Sequence, residues 1–403
     1  MKSFITNFLN NFVNQDQLNQ SPSSNRIASL DLARVVAMLF MVQGHAIYAV
    51  GDPEIINVGE LPWSIWHLLR GFTAPMFLLV SGAVQVFANK RLETGKLSKK
   101  TLYKRIRISL ILIFIGYTLG LPVSHFYELV NINDEQWLSF FAVNILQTIG
   151  VSLLFVIFLF YITRNSLQLG IISFILSIII IMTTTLVHNY DWFYYTPHFI
   201  ASYFSHSSNS IFSLFPFTAY MLLGVSVGAF LTFYSSEQRV KILINYGFIS
   251  GILLLILSMP YNKFTWEIDS FGAFVKYLNS YERISPGLSF QRLGFVLIEI
   301  SLISIVYKYT DKLRGIYVLL GKRAILIYVI HLFIIYGTPF TNGLVKFGNK
   351  SLGNLESILI AILTIVSSVL ITVFIDFTLK TYEKSKIIYG SIITVYVLWL
   401  FIF

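Results

Sequence analysis

The sequence predicts an all-α fold, a polytopic bundle of membrane-spanning helices. Three observations lead there. The chain of 403 residues is 56% hydrophobic, with a mean hydropathy of +0.72 and only 12% charged residues, far from the composition of soluble domains. Eleven continuous apolar stretches reach the roughly 17 to 25 residues that carry a helix across a bilayer. Lys and Arg then segregate to alternate loops, as the preference of cytoplasmic loops for positive charge requires. A membrane β-barrel would need alternating segments, whereas runs such as Leu110 to Gly116 and Ile358 to Val373 are unbroken.

Residues 1–25 read as a short cytoplasmic extension. In it Phe4, Phe8 and Phe12, with Ile5, Leu9 and Val13, repeat every four residues, the pattern of a helix lying on the membrane surface. Residues 26–403 read as a single transmembrane domain, with spans at 28–50, 66–88, 106–124, 138–162, 168–187, 211–233, 241–259, 291–307, 323–338, 357–379 and 387–403. The ninth is short, which makes ten the alternative count. With the N-terminus cytoplasmic, the loop from Lys90 to Arg107, holding eight Lys and Arg, falls inside. The loops from Gly51 to Ile65 and from Leu121 to Trp137 hold none, carry Asp52, Glu54, Glu60, Glu128, Asp134 and Glu135, and fall outside. The net charge of +10 is therefore topology and not a nucleic-acid footprint. An integral, multi-pass protein of a bacterial plasma membrane is the expected setting.

Function is marked by ionisable groups where lipid makes them costly. Arg34 and His45 are eleven residues apart in the first span. Eleven residues turn a helix three times plus about 20° and climb about 16 Å, so the two share one face. Asp31, three residues before Arg34, lies about 60° to the side. A neutral imidazole in such a place can take a proton from a hydroxyl or amine attacking a thioester; the bland alternative is a histidine hydrogen-bonded between helices. Arg34 reads as a contact for an anion or carbonyl, with snorkelling to lipid phosphate as the alternative. Asp31 reads as an N-cap for the first helix or as a partner holding Arg34.

The segment Arg26-Ile-Ala-Ser-Leu-Asp-Leu-Ala-Arg34, continued to His45, resembles the first membrane helix of a superfamily of integral membrane acyltransferases. It includes the acyltransferase-3 family and the heparan-α-glucosaminide N-acetyltransferase-like family. Their pattern is an Asp near the helix start, an Arg three residues on and a His, or sometimes Asn, eleven beyond it. Thr73-Ala-Pro-Met-Phe-Leu-Leu-Val-Ser-Gly82, Tyr103-Lys-Arg-Ile-Arg107 and Gly321-Lys-Arg-Ala-Ile-Leu-Ile-Tyr-Val-Ile-His331 are similar to further family segments. Val35 stands where many relatives have Gly. The resemblance implies transfer of an acyl group, acetyl above all, from acetyl-CoA or another acyl-CoA to a hydroxyl or amine of an extracytoplasmic carbohydrate or glycolipid, with His45 catalytic.

Arg105 and Arg107 then become candidates for the phosphates of coenzyme A, although plain retention of positive charge also accounts for their loop. His67 and Arg70, three residues apart in the second span, border an acceptor entrance or anchor an interface beside Trp63 and Trp66. His331 lies one turn beyond Tyr328 and is a candidate to support the site. Arg292 and Glu299 form an internal pair or line a cavity, and Asp376 is expected to be solvated. The loop holding His188, Asp191, Trp192, Tyr194, Tyr195 and His198 has the aromatics to stack on a sugar. Disulfides, thiol nucleophiles and thiolate metal sites are excluded by the absence of Cys. No metal is expected, because His125, His188, His198 and His206 lack a ligand spacing. Neither a G-x-S-x-G elbow nor a phosphate loop occurs. The readings from other classes are a secondary transporter using Arg34, His45, Arg292 and Glu299, and a membrane sensor or scaffold without catalysis.

Overall fold

A computed structural model of the protein describes residues 27–121, 126–206, 209–258, 285–338, 341–382 and 385–402. The N-terminal Phe repeat and His125 lie outside the described residues. The elements are, in order, α1 (Ala28–Val50), α2 (Trp63–Arg70), α3 (Thr73–Ala88), α4 (Lys99–Leu119), α5 (Asp134–Phe141), α6 (Ile145–Ile162), α7 (Ser166–Asn189), α8 (Trp192–Tyr195), α9 (His198–Phe204), α10 (Leu214–Leu231), α11 (Ser236–Leu257), α12 (Pro286–Tyr309), α13 (Arg314–Lys322), α14 (Ala324–Tyr336), α15 (Val345–Gly348), α16 (Asn354–Thr381) and α17 (Ser385–Ile402). A two-residue antiparallel pair, β1 (Gly337–Thr338) and β2 (Thr341–Asn342), follows α14.

Polar residues just before the helices fix where several of them start. Ser98 accepts from the Thr101 amide, and Asn133, Asn144 and Ser235 each form a reciprocal box with the glutamine three residues on. Ser285 caps α12 ahead of Pro286, whose missing N–H costs nothing at a helix start. The cap at Asn144 corrects the expected fourth span. Residues 134–162 form two helices, α5 and α6, separated by three residues, because Asn144 starts a new helix.

Among the described residues eight spans are long and apolar enough to cross a membrane, with α2 and α3 counted together, and the bent pair α13–α14 makes a ninth. Eleven were expected. The helices α4 and α17 coincide with two of the expected spans but are not among these nine. In α4 the first nine residues include Lys99, Lys100, Lys104, Arg105 and Arg107, which lowers its hydropathy. The ninth expected span is not straight: α13 and α14 meet at an angle of 67° across Arg323.

At the centre, α1 packs against α3, α12, α13, α14 and α16, while α10 packs against α3 and α7. Lipid gives helices no hydrophobic reason to associate, so close backbone approach through small residues holds them together. A Cβ on Gly224 would sit 1.9 Å from the Leu79 carbonyl oxygen, and one on Gly82 would sit 2.0 Å from that of Met221. These contacts bring α3 and α10 together side by side and brace the α3 surface on which α1 rests.

Candidate active site

The polar stripe foreseen on α1 faces protein along its length. At the Ala28 end Asp31 is fully buried. Its carboxylate lies against Gly321, where a Cβ would come within 3.1 Å of Oδ1. The N-cap reading of Asp31 is corrected: α1 begins at Ala28, the cap position is Ile27, and Asp31 sits inside the first turn, where a negative charge complements the exposed N–H groups. Arg34 does not snorkel to lipid. Its Nη1 donates to the carbonyl of Gly321 at 3.3 Å. That carbonyl belongs to the last turn of α13, which ends at Lys322, and final-turn carbonyls lack helical partners and carry partial negative charge. The break at Arg323 thus supplies an acceptor for a half-buried guanidinium.

Toward the Val50 end, three rings from two helices meet. His45 is half-buried, and its ring centroid lies 5.5 Å from that of His331 and 6.4 Å from that of Tyr328. Tyr328 and His331 are 5.0 Å apart, edge to face. His331 is fully buried, and its Nδ1 lies 3.3 Å from the Ile327 carbonyl. A carbonyl only accepts, so that contact assigns the proton to Nδ1 and leaves a lone pair on Nε2. Among the described residues Nε2 has no hydrogen-bond partner.

Of the two second-span candidates, the structure brings Arg70 against Gly44, the residue before His45, and leaves His67 exposed. The Arg70 stem covers Gly44, where a Cβ would meet its Cδ at 2.9 Å. Its guanidinium is held 5.0 Å from the ring centroids of both Tyr48 and Trp66. Trp66 donates to Gln43 Oε1 at 2.8 Å, and Trp63 donates to Asn354 Oδ1 at 3.1 Å, so α2 is pinned across the Val50 end of α1.

Arg105 and Arg107 do not share a face. Arg105 is half-buried and its Nη2 donates to the Ala88 carbonyl at 3.3 Å, closing the end of α3, while Arg107 is exposed about 200° around α4. Arg292 and Glu299 make no ion pair with each other; Arg292 stands beside buried Tyr220, whose hydroxyl donates to the Ser289 carbonyl at 3.2 Å. Asp376 is not solvated but 4% exposed. Arg323 and Lys380 both reach it at 2.6 Å, a cluster invisible in sequence because Arg323 and Asp376 are 53 residues apart. His188 and His206 stack at 4.4 Å beside the aromatic loop. Among the described residues no group of three or more His, Asp or Glu could hold a metal.

Between Arg34 and His45 the stripe turns apolar. A small cavity there is lined by Met38 and Met41 of α1, Phe77 of α3, Ile149 of α6 and Tyr328 of α14, among others.

The family model described as heparan-alpha-glucosaminide N-acetyltransferase, catalytic, matches residues 26–258, more than half of the chain. No curated protein matches it. Asp31, Arg34, His45 and Arg70 fall within the matched segment, whereas Gly321, Tyr328 and His331 follow it.

Proposed function

Since the chain belongs to the heparan-alpha-glucosaminide N-acetyltransferase catalytic family, we propose that it moves an acetyl group from cytoplasmic acetyl-CoA to an amine or hydroxyl of a carbohydrate on the far side of a bacterial plasma membrane. Acetyl transfer within a membrane is the family's activity; donor, acceptor and sidedness are the proposal. One observation carries it. His45 stands on the same face of α1 as Arg34 and meets His331 and Tyr328, so a base, a second imidazole and a phenol converge at one point on the line from one membrane surface to the other.

In this reading His45 is the general base. Its neutral imidazole accepts the proton of the acceptor N–H or O–H as that atom attacks the thioester carbonyl. The tetrahedral intermediate then collapses, the C–S bond breaks, and the imidazolium returns its proton to the departing coenzyme A sulfur. His331 and Tyr328 position the His45 ring. Arg34 lies on the donor's path from the cytoplasmic side, with Arg105 and Arg107 of α4 as the cations to take up phosphate. Arg70, with its aromatic clamp, borders the entry of the acceptor. The transporter reading needs Arg292 and Glu299 to act with Arg34 and His45, and nothing in their placement favours it.

The test is coenzyme A release by the purified protein supplied with acetyl-CoA and a glucosaminide. His45→Ala should lower the rate by about 10² to 10⁴. A folded His45→Ala protein that still acetylates at the wild-type rate would remove the assignment.

A further inference from the structure

We infer that the stacked imidazoles of His188 and His206 form an acid-labile latch at the end of the bundle that the charge pattern places outside the cell. While both rings are neutral they hold the link between α9 and α10 closed, and their ionisation releases it. The inference holds whether or not the chain transfers acetyl groups.

The geometry is that of a clasp. The two rings are parallel, with planes 2° apart and centroids 4.4 Å apart. Each is anchored by a backbone carbonyl: His188 Nε2 donates to that of Phe215 at 2.8 Å, and His206 Nδ1 donates to that of Ser210. Phe215 is extended inside the first turn of α10, so its carbonyl stands outside the helical ladder and also accepts from Ser213 Oγ at 2.7 Å. Other contacts hold the link to the start of α6. Ser210 Oγ accepts from the Val143 amide at 2.9 Å, the Phe212 amide donates to the Val143 carbonyl at 3.3 Å, and Thr148 donates to the Phe212 carbonyl. The imidazole stack thus ties the end of α7 to a short segment, 205–213, on which α6, α9 and α10 also converge.

Only neutral rings suit these contacts. With its Nε2 proton given to Phe215, neutral His188 keeps a bare Nδ1, which is buried without a hydrogen-bond partner among the described residues. A proton added there finds no acceptor, and a buried donor left unmatched is destabilising. Ionising both rings sets two like charges face to face. The neighbouring elements offer His188 no compensation. Asp191, ahead of α8, gives its carboxylate to the Tyr194 amide at 3.3 Å. His198 of α9 is exposed beside Phe193, and Arg292 of α12, next to Tyr220, is itself a cation. Tyr190, Tyr203 of α9 and Tyr117 of α4 stay neutral at and below pH 8. Among the described residues no carboxylate pairs with His188, whose partners are the Phe215 carbonyl, the Ser213 hydroxyl and the His206 ring.

The chain has no Cys, so a single introduced thiol reports on the link. Ser205 is 3% exposed, and the full-length Ser205→Cys protein in detergent is labelled with a thiol reagent at about pH 7.5 and about pH 5.5, either side of the ordinary histidine pKa of about 6.5. Each rate is divided by that of the denatured protein at the same pH. The normalised rate should rise by about tenfold at the lower pH, one power of ten per pH unit below the crossing. It should stay level when His206→Phe is added, since phenylalanine keeps a stacked ring that takes no proton. A second measurement needs no thiol: over the same pH step the thermal midpoint of the wild type should fall by about 2–4 °C more than those of His206→Phe and His206→Gln. A normalised rate that ignores pH, an equal rise with and without His206, or equal falls in midpoint would overturn the latch.

Discussion

At the scale of single residues, the site is built on contacts that leave no room for substitution. Gly321 is the clearest case, because its Cα abuts Asp31 while its carbonyl accepts from Arg34. Gly321→Leu must push the carboxylate away, and overpacking of this kind costs about 1–3 kcal/mol. Its thermal midpoint and its coenzyme A release should both fall, with Gly321→Ala between it and wild type; a Leu variant as stable and active as wild type would show that the contact is slack. His331 offers a second test. His331→Phe keeps a ring beside His45 and removes both nitrogens, so turnover should drop by about tenfold or more with the Michaelis constant for acetyl-CoA unchanged. Loss of stability alone, at full turnover, would mean that the imidazole only fills space. The Arg34–His45 alignment was legible in the sequence because helical periodicity fixes it. The Arg70 contact with Gly44 was not, since it depends on how a separate helix crosses α1.

At the scale of elements, the informative departure is the break between α13 and α14. A run of apolar residues from 323 to 338 reads as one span, and no proline marks the bend. What holds it is tertiary: Arg323, at the break, reaches across to Asp376 on α16, which also binds Lys380. Sequence reading left Asp376 solvated because its partner is distant along the chain. Asp376→Asn would leave two cations facing each other at the break. Because Arg323 and Lys380 are partly solvated, the expected loss is about 1–2 kcal/mol, read as a lower midpoint in chemical or thermal unfolding. Turnover should fall with it, because Tyr328 and His331 ride on α14. Wild-type stability and turnover in Asp376→Asn would mean that the break is held by packing alone. The division of the expected fourth span at Asn144 was legible in principle, because the asparagine followed three residues later by Gln147 is a helix-start signature; the surrounding hydropathy masked it.

For the whole molecule, composition fixed the class and hydropathy located the helices. The number of spans was harder to read, because it turns on charged helix ends such as that of α4. Residues 26–258 carry the family likeness, yet Gly321, Tyr328 and His331 come from the last third of the chain. In the proposed reading, kinship and catalytic completeness therefore have different extents. A polypeptide cut after Ser258 should insert into membranes, keep every hallmark by which its relatives are known, and release no coenzyme A from acetyl-CoA in the presence of a glucosaminide. Variation in the final 145 residues, where the likeness is silent, would then decide which members of such a lineage are enzymes and which are only their image.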